Sequence, residues 1–558
     1  MKKALVFDGY VDEPSCFGVP PYVSPYVRYA FGLLRIFGFD VSYITADQWR
    51  KSKPEDLWKE AEYILLITGF TVPGRYRGGS PLLLRELQEL AHLPRRGLFF
   101  FGGPLLHGYS LQGGRPAEEM GSFSVWGDCF SPDPVASLAT FLKENRLDSQ
   151  ARKNYKDCAA WATAGAPLVL QHPCYPRIIA ELELSEGCSR QEGHCSFCTE
   201  WQGHPYRERP FEDVLEEVRA LQECGVRAFR LGKCSDILSY GGIKTGRGIS
   251  PNPEMLQKLY DGLREACPEI QVLHTDNCNP LTVARFPEES RRAVEVIASR
   301  NTEGDCLSLG IETLDPHVSS LNNLKVSFEE AFEAVRIINE AGGWRNHSRG
   351  LPKILPGLNF LLGLPGETRE SLEYNTRFLE LLVRENLLVR RINIRKVISF
   401  PESPVGKLLE HTPPRTKPRD IRRWKEWVRE EIDPLMFQRF APLGTILPGV
   451  LSETRSGHCI FGRSLGSYPP LVGIMDDLLA ENVKLDVAVT DYGKRSLTGV
   501  PFPLSLETCS RTNLLALPGI GKARAERIVQ HVGKKECLSL EELLDDPALA
   551  ARISMYFV

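Results

Sequence analysis

The chain lacks any apolar run approaching the ~18 residues that a membrane-spanning helix needs, so it reads as no integral membrane protein. Its first residues, Met-Lys-Lys-Ala-Leu-Val-Phe-Asp8, are too briefly apolar for a secretory signal and read as a first strand. It also lacks an excess of charge of either sign: 68 Lys and Arg face 71 Asp and Glu, which argues against a protein that coats nucleic acid or an anionic membrane over its whole surface. Fifteen cysteines show no small disulfide-rich framework, which fits a reducing, cytoplasmic compartment. Twelve of them are scattered and read as small buried apolar residues.

The other three are close-set. Leu-Ser-Glu-Gly-Cys188-Ser-Arg-Gln-Glu-Gly-His-Cys195-Ser-Phe-Cys198 follows an apolar stretch, Arg177 to Leu184, that reads as a strand. Three thiolates on a loop leaving a strand can hold three irons of a cubic [4Fe–4S] cluster and leave the fourth iron open. The amino and carboxylate groups of S-adenosylmethionine suit that open iron. A zinc site of Cys188, His194, Cys195 and Cys198 is the competing set.

These residues, with motifs further along, resemble the radical S-adenosylmethionine (radical SAM) superfamily over roughly residues 175–405. The six residues between Cys188 and Cys195 exceed the family's usual three; Phe197 stands where the family carries an aromatic. The resemblance implies a partial (β/α)6 barrel. Its strands would be Arg227–Asp236, Val272–Asn277, Cys306–Glu312, Leu358–Gly363 and Arg391–Lys396. It also implies cosubstrate contacts: Gly232 and Lys233 in place of a Gly-Gly-Glu edge toward the methionyl amine, Glu312 of Gly-Ile-Glu-Thr toward the ribose, and Arg395 toward the carboxylate. A cap or salt-bridge role for Glu312 and a solvent-facing Arg395 are the bland readings.

Residues 1–150 alternate short apolar runs (Ala4–Phe7, Val41–Ile44, Tyr63–Ile67, Gly97–Phe101) with helical patterns, the sign of a doubly wound, Rossmann-like α/β domain. Gly69, Gly102 and Gly103 follow two of these runs, and Trp126-Gly127 lies where a last strand should end. Glycine at such a strand end lets a flat cofactor approach the backbone. Placed before a radical SAM core, the domain resembles the cobalamin-binding domains of cobalamin-dependent radical enzymes. No Asp-x-His-x-x-Gly motif is present, so bound cobalamin is expected base-off with no histidine on cobalt. An empty or protein-docking domain is the alternative.

Residues 151–405 are then the radical core, 406–505 an accessory region, and 506–558 a terminal unit. Lys407 to Arg429 is rich in basic residues, a solvated face or a surface for an acidic partner. Short β-runs in 460–505 read as a small barrel or sheet. Leu514-Leu-Ala-Leu-Pro-Gly-Ile-Gly521-Lys-Ala carries the helix-hairpin-helix signature, whose glycines expose N–H groups to a phosphate or pack the segment against protein. The whole resembles archaeal cobalamin-dependent radical SAM proteins, and among them the glutamine C-methyltransferases of methyl-coenzyme M reductase. That implies radical methylation of an unactivated carbon of a protein, an external electron donor and no membrane. A tRNA- or RNA-modifying enzyme is the alternative.

Overall fold

Five short apolar runs set the first sheet of the computed structural model, which describes residues 2–13, 16–69, 78–110, 113–119, 126–190, 193–200, 205–401, 403–533 and 539–557. Strands β1 (Lys3–Asp8), β2 (Asp40–Thr45), β3 (Tyr63–Ile67), β4 (Leu98–Gly102) and β5 (Cys129–Ser131) pair in parallel in the order β2-β1-β3-β4-β5. Both faces are covered, which is why these strands are continuously apolar. Val6, Leu65 and Phe100 point into one core, while Phe7, Leu66 and Phe101 point into another. The strand order reverses between β1 and β3, so the crevice of such a sheet opens at their carboxyl ends. Trp126 and Gly127 precede β5 instead of ending it. There Asp128 accepts the Phe99 N–H (2.7 Å).

The middle of the chain is a second parallel assembly. It comprises β6 (Ile179–Glu183), β7 (Ala228–Lys233), β8 (Val272–His274), β9 (Asn277–Cys278), β10 (Asp305–Glu312), β11 (Ile354–Leu362) and β12 (Arg391–Lys396). One sheet runs β8-β7-β6 and the other β9-β10-β11-β12. Because β8 and β9 are successive pieces of one run broken at Thr275 and Asp276, the two sheets continue into one curved wall. Strand β11 begins earlier than the Leu358 start expected from sequence, running through Pro356, which has no N–H to give the ladder.

The side opening between β6 and β12 is closed twice. The short strand Tyr22–Val23 adds in parallel to β6 at Ile179 and Ala180. Beside it the loop Gly466–Tyr468 is bolted down: Tyr22 Oη donates to the Gly466 carbonyl (3.1 Å), Arg390 Nη2 to the Tyr468 carbonyl (2.7 Å), and the Ser467 N–H to His274 Nδ1 (2.8 Å).

The first two units share one core. A single apolar cluster runs from Val6 and Leu65 through Val27 and Leu33 to Leu182, Phe229, Leu309 and Phe360. Arg28, fully buried on helix Pro25–Ile36, donates to Glu217 from Nε and Nη2 (3.0 and 2.7 Å) and to the Glu181 carbonyl (2.6 Å). A buried guanidinium needs such partners.

Strands Ile446–Ser456, Cys459–Arg463, Val472–Met475, Lys484–Tyr492 and Leu497–Phe502 form a closed barrel. Its first strand lies ahead of the region read as β-rich, hidden by Pro448 and Gly449. Helices Arg511–Leu515 and Lys522–Gly533 flank Leu517–Gly521, and with the last two helices they pack Leu514, Leu517, Ile520 and Ile528 against Ala488 and Val500 of the barrel. Among the described residues no helix is long and apolar enough to cross a membrane.

Candidate active site

The loop after β6 carries the three cysteines, and the described residues on either side of Gln191 and Glu192 are anchored. Arg190 donates to the carbonyls of Asn323 (2.6 Å) and Leu324 (3.2 Å). Asn323 Nδ2 returns a bond to the His194 carbonyl (3.0 Å), and the Ser196 hydroxyl donates to Asn322 Oδ1 (2.8 Å). Cys195 is buried and Cys188 and Cys198 half-buried, and all three thiols line one cavity. Burial, then the neighbouring Cys195 thiol, pushes the Cys198 thiol far up; burial raises that of Cys188. Among the described residues no three metal-binding side chains converge on a single ion, as a Cys3His zinc set requires.

That cavity measures 480 Å³ and lies over the carboxyl ends of the core strands. Phe197, Glu312 and Arg395 line it, so Arg395 faces inward. Glu312 sits where the β10–β11 register shifts and holds φ at +65°, a strained conformation for a residue with a side chain. Burial raises its carboxyl to about 7, against the pull of Lys325 and Arg395. Lys325 also lines the cavity; burial opposes its charge, but Cys195 and Glu312 more than compensate.

Gly232 and Lys233 do otherwise than expected. A side chain at Gly232 would run into the buried Glu181–Arg230 pair. The Lys233 ammonium, 6% exposed, is held by Glu13 (3.0 Å) and Glu200 (3.4 Å). It ties the first domain to the cysteine loop and does not line the cavity.

The glycines of the first domain are also spent on the protein itself. A Cβ at Gly69 would meet the Asp12 nitrogen (2.6 Å), at Gly103 the Thr68 carbonyl (2.5 Å), at Gly127 the Phe101 ring (2.8 Å), and at Gly102 the Ser131 carbonyl. Their missing side chains serve close backbone packing, which gives the same sequence signal as a cofactor's approach. Trp126 packs at the edge of the second core. At the carboxyl ends of β3 and β4, Gly103, Pro104 and His107 line a hollow of 100 Å³ that faces Glu186, Glu200 and Lys233. An imidazole is therefore present on this face without the histidine motif. Residues 70–77 and 120–125, which flank it in sequence, lie outside the described residues.

Sequence reasoning missed the cavity's polar floor. Arg230, fully buried, pairs with Glu181 (2.5 Å) and Asp276, and its guanidinium stacks 4.4 Å from the Phe17 ring centroid. Tyr468 and Asp276 both line the cavity, and the Arg391 guanidinium lies 3.7 Å from the centroid of the Tyr468 ring. Asp276 stands at a strand exit, a readable signal; Tyr468 arrives from a loop far along the chain and offers none.

Residues 182–379 match the model of the Radical SAM superfamily. Along its length the chain is 38% identical over 519 residues to an uncharacterized protein of Archaeoglobus fulgidus, covering 93% of each. It belongs to this archaeal family, and its core is a radical SAM domain. The radical SAM protein is also 25% identical over 311 residues to the ribosomal protein uS12 methylthiotransferase RimO of Myxococcus xanthus, covering 54% of this chain and 56% of that one. Among solved structures it is similar to the cobalamin-dependent S-adenosylmethionine radical enzyme OxsB with aqua-cobalamin and S-adenosylmethionine bound. There the TM-score is 0.46 at 11% identity, over 74% of this chain and 56% of that chain.

The radical SAM family implies a [4Fe–4S] cluster and S-adenosylmethionine, and the residues fit both. Cys188, Cys195 and Cys198 sit together at one cavity wall, with Lys325 beside them to offset thiolate charge. Glu312 and Arg395 place a carboxyl and a guanidinium in the same space, the groups that the resemblance leads one to expect for the cosubstrate.

Proposed function

We propose that the protein is a radical SAM C-methyltransferase that methylates an unactivated carbon of a protein residue, with cobalamin held by the first domain. One observation carries the reading. Glu13, Phe17, Ser110 and Gly113, on the first domain's loops after β1 and β4, line the same cavity as the three cysteines, so the two units face each other across one space. Bound there, the cluster and S-adenosylmethionine supply a 5′-deoxyadenosyl radical, and cobalamin supplies a methyl group. The protein's own part is placement and exclusion of water. The strand Tyr22–Val23 and the Gly466–Tyr468 loop close the side of the barrel, and Lys233 holds the first domain against the cysteine loop.

The RimO relatives, named for a ribosomal protein, support a protein acceptor. The finer reading, a glutamine of methyl-coenzyme M reductase, rests on the sequence resemblance. The alternative of RNA modification draws on Gly521, whose Cα has open space before helix Lys522–Gly533. The test is anaerobic turnover of reconstituted protein with S-adenosylmethionine, with and without added cobalamin, on methyl-coenzyme M reductase peptides and on total tRNA. Cobalamin-dependent methylation of a peptide carbon is expected. Radical turnover that ignores cobalamin, or that modifies tRNA alone, overturns the proposal.

A further inference from the structure

The wall of the cavity built by β12 and helix Pro418–Trp427 is of one charge. Arg391, Arg395, Lys396 and Lys425 line it. The other basic residues of the helix and its approach, Arg415, Lys417, Arg419, Arg422 and Arg423, are exposed and fit a solvated face. Lys425 is different: it is half-buried and turned into the cavity. Burial pushes its ammonium below the ordinary lysine value, and Lys396 and Arg429 push it further. The ion pairs of this segment join other residues, Arg419 to Asp420 and Arg429 to Asp433.

Among the described residues the anions of the cavity are committed elsewhere: the three cysteine thiols face Lys325. Asp276 is paired with Arg230, Glu13 and Glu200 share Lys233, and Glu312 lies between Lys325 and Arg395. S-adenosylmethionine brings a sulfonium and an ammonium against one carboxylate, so its binding adds positive charge. Lys396 and Lys425, gathered in a cleft with no counter-ion among the described residues, point to an anionic ligand. Lys396 is exposed and so marks the mouth; its aliphatic stem packs 3.2 Å from the position of a Cβ on Gly114 of the first domain. An incoming group at this mouth therefore passes between the two domains and over Lys396 and Lys425.

We propose that Lys396 and Lys425 form an oxyanion subsite at the mouth of the cavity, taking a carboxylate or phosphate that the substrate bears near its reacting residue. The proposal deepens the reading of the cavity as the radical site and rests on it. Iron uptake and 5′-deoxyadenosine formation by the unsubstituted protein are measured first, so that failure of the radical reading shows separately.

The test titrates inorganic phosphate and succinate into the reconstituted enzyme saturated with S-adenosylmethionine, by calorimetry at constant ionic strength with chloride as the reference anion. One of the two probes is expected to bind saturably. In the double variant K396M/K425M, its affinity should fall by about tenfold or more, with iron content and S-adenosylmethionine affinity unchanged. Phosphate binding, with phosphorus-31 lines broadened by the reduced cluster, assigns a phosphate-bearing substrate; succinate binding alone assigns a carboxylate. The subsite is overturned if neither probe binds better than chloride, if S-adenosylmethionine displaces the probe, or if the double variant binds it as tightly.

Discussion

Tyr468 Oη donates a 3.0 Å hydrogen bond to Asp276 Oδ1, joining the loop between two barrel strands to the break in the core wall. Asp276 also accepts from Ser308 Oγ (2.7 Å) and pairs with Arg230. Tyr468 holds φ at +49°, so its backbone is strained to present the phenol here. The accessory barrel thus furnishes part of the active-site floor.

Tyr468→Phe is therefore expected to destabilise the fold by about 1–3 kcal/mol, the cost of leaving a buried acceptor short of a partner. Iron content should stay unchanged. Chemical denaturation followed by tryptophan fluorescence reads the first quantity. A neutral result would mean that Ser308 and Arg230 satisfy Asp276 alone.

Replacement of Cys188, Cys195 or Cys198 by Ala should lower the iron content of the anaerobically reconstituted protein from about four per chain and abolish 5′-deoxyadenosine formation. Shortening the Cys188–Cys195 gap should do the same only if it removes Arg190, the residue that clamps the loop. Full activity of a triple cysteine variant would sink the cluster assignment.

Cobalamin, if it loads, is expected base-off and without a histidine on cobalt. His107 on the face beside Gly103 makes the measurement decisive. Nitrogen superhyperfine splitting in the cob(II) spectrum that vanishes in His107→Ala would show an imidazole ligand and refute the expectation.

How much of this was legible depended on how far each signal reached along the chain. Tyr63–Ile67 is a strand in the sequence and in the fold because it is buried on both faces, and local apolar continuity records that. The cavity positions of Glu312 and Arg395 were legible because their motifs are local to β10 and β12. Lys233 was misread for the opposite reason: its partners Glu13 and Glu200 come from other parts of the chain, and no local pattern encodes them. Tyr468 and Lys325 were missed on the same ground. Gly69 and Gly102 show a different failure, since a close approach by backbone and by ligand leaves the same residue in the sequence.

The Lys233 latch predicts its own mutational signature. Lys233→Met removes the cation that the largely buried Glu13 and Glu200 share, and breaking such an ion set costs about 3–5 kcal/mol. Adding Glu13→Gln to that variant should recover part of the loss, because the two residues interact directly and their effects are not additive. Additive losses in denaturant midpoints would show that the pair does not hold the domains together.

Glu312 ties acidity to both stability and cosubstrate binding. Burial raises its carboxyl to about 7, above the ordinary 4.5, so between those values the native protein keeps a proton that the unfolded chain has lost. Its contribution to stability is then fully present below pH 4.5 and is lost as pH rises through about 7. Cosubstrate binding runs the other way. With the expected ribose hydroxyl donating to the ionised carboxylate, affinity for S-adenosylmethionine should fall as pH drops below about 7. Glu312→Gln should bind more weakly at high pH and lose most of this dependence. Calorimetric titrations of the reconstituted wild type and variant across that range give the comparison, and a pH-independent wild-type affinity would remove Glu312 from the ribose contact.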